Sequence, residues 1–201
     1  MALISVSNNA LQNITAVPAS IPSGALVLLS TQTASSSASL SFTSGIDSTY
    51  DSYVFKFINI HPQNDQINLT FQGSTDGGSN YNITMTTTFF WAYHNEADTQ
   101  AVLGYFTGYD QAQGTGFQII TEAVGNANDE NTCGTLQIFN PSSTTYVKHF
   151  LCRSQTSEGS GYSTDGYTAG YFNTTSAINA IQFKFSSGNI DDGIIKMYGV
   201  K

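Results

Sequence analysis

Apolar and polar side chains alternate with a period of two over much of the chain beyond residue 52, the pattern of strands buried on one face. In Gln66-Ile67-Asn68-Leu69-Thr70-Phe71-Gln72, the residues Ile67, Leu69 and Phe71 share one face, and Asn68, Thr70 and Gln72 the other. A turn-forming stretch follows at 73–79, and the alternation resumes with Tyr81, Ile83 and Met85 against Asn82, Thr84 and Thr86. This predicts an antiparallel hairpin with one core face and one hydroxyl- and amide-rich solvent face. Just upstream, Tyr53 to Ile60 is β-branched and aromatic on both faces. That predicts a central strand ending at His61-Pro62, because proline cannot donate to a ladder.

The pattern continues downstream. Phe89 to Glu96 is the most aromatic stretch, and Ala101 to Asp110 adds Tyr105, Phe106 and Tyr109. A weak strand at 116–120 leads into an acidic loop at 126–131. A second hairpin is predicted from Leu136 to Cys152, turning at Asn140-Pro141-Ser142-Ser143, where Asn bonds its own backbone and Pro presets φ. The Gly/Ser/Tyr-rich stretch 156–171 reads as a surface loop. Ala180 to Phe185 alternates with Ile181, Phe183 and Phe185 inward, and a last strand runs from Ile194 to Val200. Eight to ten strands without helical periodicity predict an all-β fold: an antiparallel two-sheet β-sandwich, jelly-roll-like, with an extended N-terminal arm.

The arm follows from charge. Between Met1 and Ile46 there is no charged side chain. Apolar residues recur there at Leu3, Ile4, Val6, Leu11, Ile14 and Val17, and prolines at 18 and 22 limit regular structure. One reading is an edge strand plus a Ser-rich linker. The other is an arm ordered by a partner subunit, since a segment meant for free solvent is usually charged. The organisation expected is residues 1–39 as arm and linker and 40–201 as the sandwich.

Composition narrows the function. With 201 residues the chain is expected to form one all-β domain. Only 10% of residues are charged, against about 25% in an average globular protein, so Ser, Thr, Asn and Gln must carry solubility. A net charge of −8 with six scattered basic residues argues against nucleic acid as a partner. No basic n-region opens the chain and no apolar run is long enough to span a bilayer, so neither export nor membrane insertion is expected. Cys133 and Cys152 are expected to be reduced and buried, although pairing is open if their strands are neighbours.

Catalytic motifs are missing: there is no G-x-S-x-G, H-E-x-x-H or C-x-x-C. His61, His94 and His149 lie far apart, and the acidic pairs Asp129-Glu130 and Asp191-Asp192 sit in turn-like contexts, so no metal or other cofactor is expected. Asn-x-Ser/Thr triplets at Asn13, Asn68, Asn82 and Asn173 matter only in a secreted eukaryotic protein. The aromatic stretch has two readings. It is either a packed corner of the core or a contact platform in which Trp91, Tyr93, His94, Asn95, Glu96, Tyr105 and Tyr109 meet a glycan or a protein.

Three phrases carry a resemblance: Phe42 to Tyr50 (FTSGIDSTY), Asn140 to Phe150 (NPSSTTYVKHF) and the ending Gly193 to Lys201 (GIIKMYGVK). They resemble a largely uncharacterised group of structural proteins of tailed bacteriophages, marine ones especially. The resemblance implies a virion component assembled in the host cytoplasm, a head decoration (cement) protein or a tail-fibre part. The expectation is a non-enzymatic decoration protein whose arm (Leu3, Ile4, Val6, Leu11, Ile14, Val17) binds the major capsid protein or another virion protein, with a homotrimer at a symmetry axis. The alternative is a tail-fibre component that binds a host-surface glycan or receptor.

Overall fold

The computed structural model describes residues 26–201, and every regular element there is a strand apart from one 3-10 turn at Thr107–Tyr109. The strands are β1 (Val27–Thr33), β2 (Leu40–Phe42), β3 (Ser52–Pro62), β4 (Leu69–Ser74), β5 (Met85–Asn95), β6 (Ala101–Tyr105), β7 (Ala112–Gly114), β8 (Gln118–Ile119), β9 (Thr132–Phe139), β10 (Lys148–Glu158), β11 (Tyr162–Phe172), β12 (Ala180–Phe185) and β13 (Ile190–Val200). Nine form one sheet in the order β1-β13-β3-β9-β10-β11-β5-β6, with β7 also on β5; four form the other, β2-β12-β4-β8. The chain passes repeatedly between the two antiparallel sheets, which makes it the two-sheet sandwich that the alternation predicts.

The inner faces meet in an aromatic core. Phe71 of β4 lies edge-on to Phe150 of β10 at 5.0 Å and to Phe172 of β11 at 6.0 Å, and Phe42 of β2 meets Phe55 of β3 at 5.3 Å. Such T-shaped pairs place the positive ring edge against the negative face, and add to the gain from burial. β3 is central, between β13 and β9, and ends at Pro62. The β9–β10 hairpin forms as predicted, with Phe150 opposite Ile138 and the Ser143 N–H donating to the Asn140 carbonyl at 3.1 Å. Cys133 is half-buried and Cys152 buried, both as free thiols; burial pushes the Cys152 thiol well above its ordinary pKa.

Four expectations change. First, β4 and β5 are not a hairpin: β4 pairs with β12 and β8 in the small sheet, while β5 pairs with β11, β6 and β7 in the large one. Second, the polar face of β4 is not a solvent face. Thr70 and Gln72 are buried, and the Gln72 amide nitrogen donates to the carbonyls of Ile83, Thr115 and Gly116 at 2.8–3.2 Å. A polar residue can be buried on this outer face because the loops that cover it supply its acceptors.

Third, residues 156–171 are not a loop. They complete β10 and form most of β11, whose inward positions are Thr164, Gly166, Thr168, Gly170 and Phe172. A Cβ on Gly170 would lie 2.6 Å from the Thr86 carbonyl oxygen and 2.9 Å from the Phe150 ring, so glycine is there to let the neighbouring strand and the ring approach, not to make a turn. Fourth, the boundary of the arm changes: β1 is the edge strand of the large sheet beside β13, in line with the edge-strand reading. Ser37 bridges Ile190 and Ala34 is buried. The arm boundary at 39 therefore moves to before Val27, and the Ser-rich linker lies on the sheet. Leu3, Ile4, Val6, Leu11, Ile14 and Val17 lie outside the described residues.

Candidate functional site

The aromatic stretch splits by face. On β5 the inward side chains are Met85, Thr87, Phe89, Trp91 and Tyr93, as the register with β11 requires. Phe89 is fully buried, whereas Trp91 and Tyr93 lie where the small sheet no longer covers the large one and are only half-buried. Phe106 and Tyr109, brought round by the 3-10 turn, pack beneath them: Trp91 to Phe106 is 5.0 Å, Phe106 to Tyr109 is 4.4 Å and Phe89 to Tyr109 is 5.2 Å.

Opposite runs the 120–125 segment, pinned across the end of the sandwich by Val124, which bridges both Ile67 and Glu158. It brings Glu122 toward Glu158 at the end of β10, and the result is a cleft of about 210 Å³ lined by Trp91, Tyr93, Tyr162, Glu122 and Glu158. Trp91 and Tyr93 are close to parallel, 22° apart with centroids 6.2 Å apart, and Tyr162 stands at 88° to Tyr93 at 5.4 Å.

The carboxyls are held in unusual surroundings. Tyr109 donates its hydroxyl to Glu122 Oε1 at 3.4 Å, while Glu122 Oε2 is buried with no hydrogen-bond partner among the described residues. Thr164 donates to Glu158 Oε1. Burial raises the pKa of both carboxyls above the ordinary glutamate value, and the charge of Glu122 raises that of Glu158 further. Burial, with the nearby Glu122 charge, pushes the Tyr109 hydroxyl up to about 12.

A stability consequence follows from linkage. A raised folded-state pKa means the native protein holds the proton more tightly than the unfolded chain does. Stability is then fully present below the ordinary glutamate value of 4.5 and falls as pH rises through the folded values. Glu122→Gln should flatten that fall, and urea melts across pH 4 to 8 measure it. An unchanged slope would mean that Glu122 is not the group responsible.

Of the residues expected at a contact platform, Trp91, Tyr93 and Tyr109 converge here; the others do not. His94 faces the opposite side of β5, exposed and 3.0 Å from Asp98. The Asn95 side chain is used in the following turn, where its Oδ1 accepts the Thr99 and Gln100 N–H groups. Glu96 is exposed at the tip of the hairpin, and Tyr105 lies on the outer face bonded to Asp110. Glu122, Glu158 and Tyr162 were not singled out by sequence. The available signal was weak: lone acidic residues, and one tyrosine, in largely uncharged stretches.

A second hollow, of about 390 Å³, gathers residues from both acidic pairs, Glu130 with Asp191 and Asp192, beside His61 and Asn131. The described residues contain no group of three or more His, Cys, Asp or Glu arranged to hold a metal ion.

The outer face of the large sheet is the third notable surface. One row across it reads Leu28, Tyr198, Val54, Gln137, Leu151, Ala169, Thr88. The next reads Thr31, Lys196, Lys56, Thr135, Arg153, Tyr167, Phe90, Tyr105. Phe90 stacks on Tyr167 at 4.8 Å, and Arg153 lies over Tyr167 while forking onto Asp165 at 3.0 and 2.8 Å. Leu151 is 54% exposed and Leu103, beyond this band, 76%. In comparisons with known proteins, no family model, curated protein or solved structure matches this chain.

Proposed function

We propose that the protein is a structural component of a bacteriophage virion, a decoration or cement protein whose N-terminal segment anchors it to the capsid while the sandwich is presented at the particle surface. The observation that carries this reading is the outer face of the large sheet, where Leu151 and Ala169 adjoin Tyr167, Phe90 and Tyr105, with Leu151, Phe90 and Tyr105 exposed. Contiguous exposed apolar surface of this kind marks a protein contact. The uncharged first 46 residues and the three phage-like phrases support the same reading. Self-association about a symmetry axis, as in a trimer, is one way such a face is covered. The role proposed is binding, without catalysis.

Leu151→Asp tests it. The side chain is outward, so melting should shift by no more than the equivalent of about 0.5 kcal/mol, while assembly onto the particle or into an oligomer should be lost. Retention of both by the variant, read by sedimentation and particle occupancy, would remove this face from the interface. Host-glycan recognition is a second reading, favoured by the aromatic and acidic cleft at the end of the sandwich.

A further inference from the structure

We infer that the cleft formed by Trp91, Tyr93, Tyr162, Glu122 and Glu158 binds a single uncharged hexopyranose ring. The inference deepens the glycan-recognition reading and rests on it only for the biological use of the site. Three observations specify the ligand.

The first is shape. Trp91 and Tyr93 are adjacent inward residues of β5 with near-parallel rings, and Tyr162 stands almost perpendicular to Tyr93 as a side wall. Aromatic faces of this kind pack against the apolar C–H face of a pyranose. Phe106, edge-on to Trp91 at 5.0 Å, holds the indole in place. About 210 Å³ is below the roughly 300–1,000 Å³ of sites for drug-sized ligands and suits one ring better than a chain of them.

The second is hydrogen-bonding polarity. The lining side chains contribute two carboxyls and no Lys, Arg or His. The ligand must therefore bring donors and carry no negative charge. Sugar hydroxyls do both; uronic and sialic acids fail on charge.

The third is the electrostatic setting. Burial raises the pKa of both carboxyls above the ordinary glutamate value. Unprotonated oxygens remain able to accept from a neutral hydroxyl. Such acceptors suit a neutral polyol, and tetramethylammonium serves as the cationic comparison.

Trp91 is the one tryptophan in the chain, so tryptophan emission reports the cleft directly. The full-length protein is titrated with glucose, galactose, mannose and N-acetylglucosamine, and in parallel with glucuronate and tetramethylammonium chloride. The expected result is a saturable change for at least one neutral sugar, at a Kd of roughly millimolar, and none for the two ions. Glu122→Gln and Tyr93→Ala should each weaken that binding by about tenfold or more. Far-ultraviolet circular dichroism confirms that each variant is folded, and Glu158→Gln stands in for a variant that is not.

The inference is overturned if no neutral sugar acts up to about 100 mM, if tetramethylammonium acts instead, or if the folded variants bind as the parent does. Saturable binding combined with normal host adsorption by particles carrying Glu122→Gln would uphold the sugar site and remove the recognition role.

Discussion

Replacing Phe71 with Ala should lower the free energy of unfolding by about 3–5 kcal/mol. The ring is fully buried, belongs to the four-stranded sheet, and sits against Phe150 and Phe172 of the other sheet and Phe183 of its own. Deleting it removes apolar contact and leaves a cavity where the two layers meet, and a rigid surround of rings closes over such a gap only in part. Thr84→Ala is the control. Its side chain is half-exposed just before β5, so it should cost about 0.5 kcal/mol or less. Urea denaturation of both variants gives the comparison; equal losses would mean that Phe71 is not the joint between the sheets.

On the proposed decoration role, deleting residues 1–25 should leave a folded, monodisperse sandwich that no longer joins the particle. The cut must stop there, because β1 begins at Val27 and its hydrogen bonds to β13 complete the edge of the large sheet. Deleting through residue 34 should also destabilise the domain, since it removes that strand and buried Ala34. Leu3, Ile4, Val6, Leu11, Ile14 and Val17 of the deleted segment would each contribute about 1.5–3 kcal/mol on a partner, opposed by about 1–2 kcal/mol per ordered residue. Ordering the whole segment would outweigh that gain, so the proposed attachment needs a preformed groove, strand pairing or many copies acting together. With no charge in the segment, parent occupancy should survive raised salt. Occupancy on purified particles decides the matter. Full decoration by the shorter chain, or attachment that salt abolishes, would refute an apolar anchor.

The cleft and the outer face ask for different partners and lie on opposite sides of β5. Trp91 and Tyr93 point inward toward the end of the sandwich, and Phe90 points outward into the exposed rows. Alternation along one strand thus lets Leu151→Asp and Glu122→Gln be read separately.

Period-two patterning by itself determined the class of fold, the centrality of Tyr53 to Ile60, the β9–β10 hairpin and the inward set Ile181, Phe183 and Phe185. Each of these depends on which face a side chain takes, and facing is a local property of a pleated strand. Partners are not local. Nothing in Leu69 to Met85 says that β4 turns to β12 while β5 crosses to the other sheet; that choice belongs to the whole core. Burial of Gln72 depended on carbonyls from residues 83, 115 and 116, and β11 was hidden because its inward Gly166 and Gly170 look like turn residues until the rings they admit are in place. The cleft is the extreme case. Trp91 and Tyr93 were visible as an aromatic run, but Glu122 and Glu158 meet them only because Val124 ties the closing segment to both sheets, and long-range pairing of that kind leaves no periodic mark in the sequence.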